Sequence, residues 1–240
     1  MIEKMDVPCK VVEGKTTHLI IDYKLDSGDP IYADALRRAP ALAGQLNPKG
    51  PDGNERPMQV RETMAFTGAI AESVVLDYLN RYFREIDPTG DAFAEPVQGI
   101  SRQRGSFNQV DIAVRRRSTG KSATIEVRSS NIFKTNTVEV YNRDQSLVGW
   151  YATSYKAGEI RKDYYITLYF RHSQDSLQAI MQQRLPLTVQ IAAGASRAFI
   201  EQYGADDNLK QGGAQFRGVK PIIRCKDVEE LAQDMYRALS

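Results

Sequence analysis

The sequence predicts an α/β fold in which a mixed central β-sheet is flanked by helices. Three observations predict it: a helix-period run at residues 63–83, four strand-type stretches at 109–114, 121–128, 137–141 and 164–170, and a return to helical spacing after Ser173. A helix, then a run of strands, then further helices describes a helix packed on a mostly antiparallel sheet.

The elements follow in order. Residues 18–23 read as one strand, and the Pro-, Gly- and Asn-rich run at 40–57 reads as a long loop, of the kind that is often functional. The helix at 63–83 and the four strands come next. After Ser173 a helix is expected to about residue 183, another at 188–203, a late strand at 219–225 and a closing helix at 228–239. The 240 residues, 42% of them hydrophobic, suffice for one domain with its own core. The expected organisation is a single domain over 1–240, with its core at about 60–172, an N-terminal extension at 1–59 and a helical and strand segment at 173–240.

Composition narrows the partners. Lys and Arg total 32 against 30 Asp and Glu, a net charge of +2, which gives no global electrostatic case for nucleic acid. A DNA surface must therefore be a local patch. The run Arg115, Arg116, Arg117 reads equally as a solvated turn or as a phosphate contact. Cys9 and Cys225 have no spacing that points to zinc or a disulfide framework, which fits a reducing cytoplasm. Residues 1–10 carry acids and a proline where a secretory signal needs an apolar run, and no segment approaches a membrane span, so a soluble, cytoplasmic protein is expected.

Two strands place three charges together. In QVDIAV (109–114), the period of two puts Val110, Ile112 and Val114 on one face and Asp111 on the other. In ATIEVR (123–128) it puts Ala123, Ile125 and Val127 on one face and Thr124, Glu126 and Arg128 on the other, the last two roughly 7 Å apart. Ser118, Thr119 and Gly120 are turn formers, so the strands form a hairpin. A two-residue turn at Ser118-Thr119 pairs Asp111 with Glu126; one at Thr119-Gly120 pairs it with Arg128. Both keep the three charges on one face, and a one-residue slip would break the match of the apolar faces. Two carboxylates at cross-strand distance repel unless a cation sits between them. The plain alternative is a solvent-facing hairpin with a surface ion pair between Asp111 and Arg128.

The helix at 63–83 adds a third acid. At 100° per residue, Glu72, Leu76, Leu79 and Phe83 fall on one stripe flanked by Val75 and Tyr82, with Ile70 and Val74 outside it. A carboxylate facing a core costs several kcal/mol unless it is paired or near a metal. Glu72 therefore needs a partner, either a structural arginine or the centre that carries Asp111 and Glu126.

Taken together, these residues resemble the PD-(D/E)xK nuclease superfamily, the restriction-endonuclease-like proteins. Glu72 in GAIAESVVLDYL (68–79) is similar to the family's helical acid, Asp111 to its metal-binding aspartate, and Glu126-Val127-Arg128 to its (D/E)xK element. The resemblance covers about residues 60–172. Val110 stands where the family's name has proline, and Arg128 where lysine is usual; a guanidinium stays charged and cannot take a proton from water. The resemblance implies a restriction-endonuclease-like core and Mg²⁺-dependent hydrolysis of DNA phosphodiesters, with Mn²⁺ able to substitute. It implies that Asp111, Glu126 and the Val127 carbonyl hold the metal, that Glu72 positions a water or helps a second ion, and that Arg128 neutralises charge on the phosphorane. A type II restriction enzyme would be a twofold dimer, so a homodimer is an expected partner alongside DNA. Restriction, repair and phage or mobile-element enzymes share this core.

Two rival readings stand beside it. The arginine at 128 motivates a catalytically silent DNA-binding or assembly protein that keeps the fold. An unrelated enzyme using His18 or His172 as base lacks any serine or cysteine in a nucleophile setting. For base reading, Asn131, Lys134, Asn142 and Arg143 have suitable chemistry just beyond the active strand, and surface polarity explains them equally well.

Overall fold

The computed structural model describes residues 1–50, 53–97, 110–132, 137–151, 159–208 and 215–240. β1 (Ile2–Pro8) pairs antiparallel with β2 (Thr17–Leu25), which contains the expected strand at 18–23. Asp29 then caps α1 (Pro30–Ala43), accepting from the Ile31 N–H, with Pro30 in the first turn. The expected loop at 40–57 thus begins inside a helix. Proline at 40 hides this, but Tyr32, Ala35, Ala39 and Ala43 form a buried stripe that packs on the next helix.

That helix, α2 (Met58–Ile86), starts earlier than the periodicity shows because its first turn, Met58 to Arg61, buries no residue and carries no apolar stripe. Tyr32 of α1 meets Phe66 edge to face at 5.2 Å between ring centroids. Covered on more than one side, α2 buries Ile70 and Val74 completely, whereas Leu76, Tyr82 and Glu72 are only partly buried. Of the expected stripe, Val75, Leu79 and Phe83 are fully buried, and Glu72 lies with Leu76 and Tyr82 at its partly exposed flank.

β3 (Ala92–Pro96), β4 (Ile112–Arg116) and β5 (Ser122–Asn131) follow; residue 109 of the first strand candidate lies outside the described residues. The expected strand at 137–141 is instead a helical turn, α3 (Thr137–Glu139), running into a π-helical turn at Val140–Asp144. Asn142 holds that turn by donating to the carbonyls of Val138 and Pro8 and accepting from the Lys10 N–H. β6 (Leu147–Tyr151) comes after it. β7 (Tyr164–Phe170), buried throughout, and α4 (Gln174–Gln183) stand where the sequence places them.

The helix expected at 188–203 is largely a strand: β8 (Leu187–Ser196) occupies 187–196, and only α5 (Arg197–Tyr203) is helical. The alanine-rich composition reads as helix, but tertiary position overrides it. Gly194 shows why small residues sit there, since a Cβ would collide with the Leu231 side chain and meet the Tyr165 carbonyl at 3.0 Å. β9 (Ala205–Asn208) and β10 (Gln215–Val219) precede a 3₁₀ turn at Ile222–Arg224, so of the late strand expected at 219–225 only Val219 is extended in the sheet. α6 (Val228–Ala238) closes the chain, with Asp227 and Glu230 forming a capping box.

The seven strands of the main sheet run in the order β1-β2-β8-β7-β5-β4-β3, with every neighbouring pair antiparallel except β5 and β7. It draws β1 and β2 from before residue 60 and β8 from after residue 172. Helices α1, α2, α4 and α6 bury their apolar faces in one cluster with Ile112, Val114, Ile125 and Ile166. On the opposite face, Tyr165, Tyr169, Ala193 and Ala195 pack with Leu147, Trp150, Ile200 and Ile222 from β6, α5 and the 3₁₀ turn. Strand alternation puts Glu126 and Arg128 on this second face. The mixed α/β sheet flanked by helices matches the expected fold class at that level.

Candidate acidic centre

Ile112 faces Ile125 and Val114 faces Ala123, so continuing the ladder by one residue sets Asp111 opposite Glu126. This is the first of the two registers open to the sequence. The turn is longer than two residues, spanning 117–120, with Gly120 at a φ of 68° that suits glycine. Asp111 lies just before β4, and its Oδ2 accepts from the Val127 N–H at 2.8 Å. In a strand, a residue's N–H and C=O point the same way, so the Val127 carbonyl also faces the Asp111 side.

The electrostatics of Asp111 tie three acids together. Burial, then the charges of Glu126 and Glu72, hold its carboxyl well above the usual carboxylate range, against the Val127 N–H and the Arg128 charge that pull it down. Three of the four predicted residues thus act on the fourth. Glu126 is buried, at 8% exposure, so the repulsion it exerts is poorly screened.

Arg128 pairs with the acids of its own face and not with Asp111. Nη1 lies 3.1 Å from Glu126 Oε1, and Nη2 lies 2.5 Å from Glu159 Oε1 while donating to the Gly149 carbonyl at 3.1 Å. The guanidinium sits 5.2 Å from the Tyr151 ring centroid. Glu159 in turn accepts from the Tyr151 N–H at 3.0 Å. Sequence reasoning missed Glu159, which lies outside any periodic element and carries no local signal of its partner.

Other candidates resolve differently. Arg115 pairs with Glu95, Arg116 pairs with Asp91 and stacks on Tyr236, and Arg117 donates to the Gly90 carbonyl and stacks on Phe93. The arginine run is a structural corner. Asn142 is buried in the backbone bonds given above, which removes it from base reading; Asn131 donates to Gln174, and Arg143 is exposed beside Glu139 and Asp144. Lys134 lies outside the described residues. His18 is fully buried, its Nε2 is 2.7 Å from the Ala192 carbonyl, and burial pushes its pKa down to about 4, as for a core histidine.

Among the described residues, no group of three or more His, Cys, Asp or Glu side chains is arranged to hold a metal ion, and no helix is long and apolar enough to cross a membrane. The donors at the acidic centre are two carboxylates and a carbonyl. Oxygen-only sets of this kind are the ligand type that Mg²⁺ takes alongside waters and phosphate oxygens.

No family model and no solved structure matches the chain. It is similar to an uncharacterized protein of Methanocaldococcus jannaschii, 26% identical over 92% of this chain and 87% of that protein.

Proposed function

We propose that this chain is a metal-dependent endonuclease that hydrolyses DNA phosphodiester bonds. The observation that carries the reading is the register that sets Asp111 opposite Glu126, with Glu72 near enough that its charge also acts on Asp111. Glu72, Glu126 and Arg128 all act on the Asp111 carboxyl, and the resemblance to the PD-(D/E)xK nucleases supports reading the four as one centre.

In this reading Asp111, Glu126 and the Val127 carbonyl hold a divalent ion, which polarises the phosphodiester and lowers the pKa of a water when bound. The Val127 N–H fixes one Asp111 oxygen and so aims the other. Glu72 orients water at the edge of the centre. Arg128 acts as a positioning residue: it clamps Glu126 against Glu159 and the Gly149 carbonyl, which leaves its Nη atoms engaged before any substrate arrives. That engagement also favours the second reading, a DNA-binding or assembly protein without cleavage.

The test is incubation of plasmid DNA with wild type and Asp111→Asn in Mg²⁺ and in Mn²⁺. Wild type should cut and the variant should lose about 10²–10³-fold or more in rate, with Mg²⁺ binding by calorimetry lost in parallel and the thermal midpoint not lowered. A variant that binds Mg²⁺ as wild type does would remove Asp111 from the centre. A wild type that binds duplex but never cuts would favour the silent reading.

A further inference from the structure

Three buried polar atoms without a hydrogen-bond partner belong to residues around Glu126: Arg128 Nε, Thr167 Oγ1 and Lys162 Nζ. Arg128 and Thr167 are in register across the parallel pair β5 and β7, two residues beyond the Glu126 and Tyr165 pair, and so share its face. Thr167 is 3% exposed and Lys162 1%.

The position of Lys162 follows from its anchors. Glu159 is bonded to the Arg128 guanidinium, and the Lys162 N–H donates to the Tyr165 hydroxyl at 2.9 Å. Both anchors project from the Glu126 face, so the segment 159–162 lies over that face before Asp163 joins the sheet beside Thr124. Its neighbours turn outward: Ile160 is exposed, and Arg161 stacks on Trp150 at 4.7 Å. Lys162 alone of the three is enclosed.

An enclosed ammonium without an acceptor is costly, and so is a buried hydroxyl or guanidinium N–H left unmatched. Two cationic donors and a hydroxyl on one face call for a ligand rich in acceptors. We propose that Lys162 Nζ, with Arg128 Nε and Thr167 Oγ1, forms an anion subsite beside the acidic centre that receives a phosphate oxygen of the nucleic-acid ligand. This inference deepens the nuclease reading and rests on it. It leaves Arg128 only its Nε for the phosphate, since both Nη atoms are held by two carboxylates and a carbonyl, and makes Lys162 Nζ the main contact.

The test uses a duplex oligonucleotide, with affinity measured in Ca²⁺ across a salt series and single-turnover cleavage measured in Mg²⁺. Lys162→Met should bind about tenfold or more weakly, with the slope of log affinity against log salt reduced by about one. Its thermal midpoint should stay level or rise, since the substitution removes an unsatisfied group. Thr167→Val, which is nearly isosteric, should lose affinity by a smaller factor at unchanged fold, and it decides the matter if Lys162→Met fails to fold. Wild-type affinity and salt slope in both variants, with cleavage intact, overturn the subsite and leave the nuclease reading standing. A wild type that neither binds nor cuts DNA overturns both.

Discussion

Two corners of this molecule gather charge, and they balance it in opposite ways. At the outer edge of the sheet, Asp91 accepts from Ser118 and pairs with Arg116, Arg115 pairs with Glu95, and Arg116 and Lys121 reach back to Ser240. Each cation meets an acceptor, and the Asp91 carboxyl is pulled down to about 2, first by the Ser118 hydroxyl and then by Arg116. At the acidic centre burial and two neighbouring carboxylates outweigh Arg128, and Asp111 is pushed up. The first corner is complete as it stands. The second keeps a buried carboxyl displaced from its ordinary range even with Arg128 beside it, which is the physical sense in which it differs from the arginine run.

The sharpest way to break this contrast is to remove the cation that the centre does have. Arg128→Ala leaves Glu126 and Glu159 buried without their guanidinium, and loss of one partner from such a cluster costs about 3–5 kcal/mol. Urea denaturation should show that loss, whereas removing Arg115 at the exposed corner should cost no more than about 1 kcal/mol. Arg128→Lys should fall between, because an ammonium keeps the charge but cannot grip two carboxylates and a carbonyl at once. If Arg128→Ala were as stable as wild type, the clamp would be ornamental and the Arg128 Nη atoms would be available to a phosphate as well as Nε.

Glu72 gives a smaller effect that sharpens the same contrast. Glu72→Gln keeps shape and hydrogen bonding but removes one of the two charges that raise Asp111. A residue that acts through its neighbours in this way should change activity or metal affinity by roughly 10–100-fold, with little change in thermal midpoint. A large loss of stability with normal turnover would make Glu72 a structural acid instead.

The sequence made the centre legible for a particular reason. Period two in 109–114 and 123–128 is a local property, and the apolar faces of Ile112 and Ile125 can match in only a few registers, so the juxtaposition of Asp111 with Glu126 was among them. Glu72 was singled out by a stripe whose Val75, Leu79 and Phe83 are buried but at whose flank Glu72 itself lies: the packing of α1 against α2, which buries Ile70 and Val74, lies between distant residues and leaves no mark in the helix itself. β8 was misread because its alanines favour a helix in isolation, while their small size is what lets the strand pack beside β7 and under α6. Glu159 and Lys162 were invisible for the same kind of reason, since their burial is set by tertiary contacts of an irregular segment.

The smallest effect is the dependence of stability on pH, and here the two corners differ in sign. Asp91 has a folded value of about 2 against an unfolded value near 3.9, so its contribution is present above about pH 4 and is lost as pH falls towards 2. Asp111 is raised, so the protonated acid suits the fold; its contribution is present below about pH 4 and is lost as pH rises through the folded value. Thermal midpoints of wild type, Asp91→Asn and Asp111→Asn, all in EDTA, separate the two. Asp91→Asn should melt below wild type at pH 6 and converge with it near pH 2. Asp111→Asn should match wild type near pH 4 and melt above it at higher pH, because an amide removes the repulsion from Glu126 and Glu72. Adding Mg²⁺ should then raise wild type and leave Asp111→Asn close to where it was, since the amide removes one of the two negative charges proposed to hold the ion. Parallel pH profiles for the two variants would show that both corners are ordinary surface charge, and the contrast on which the acidic centre rests would be gone.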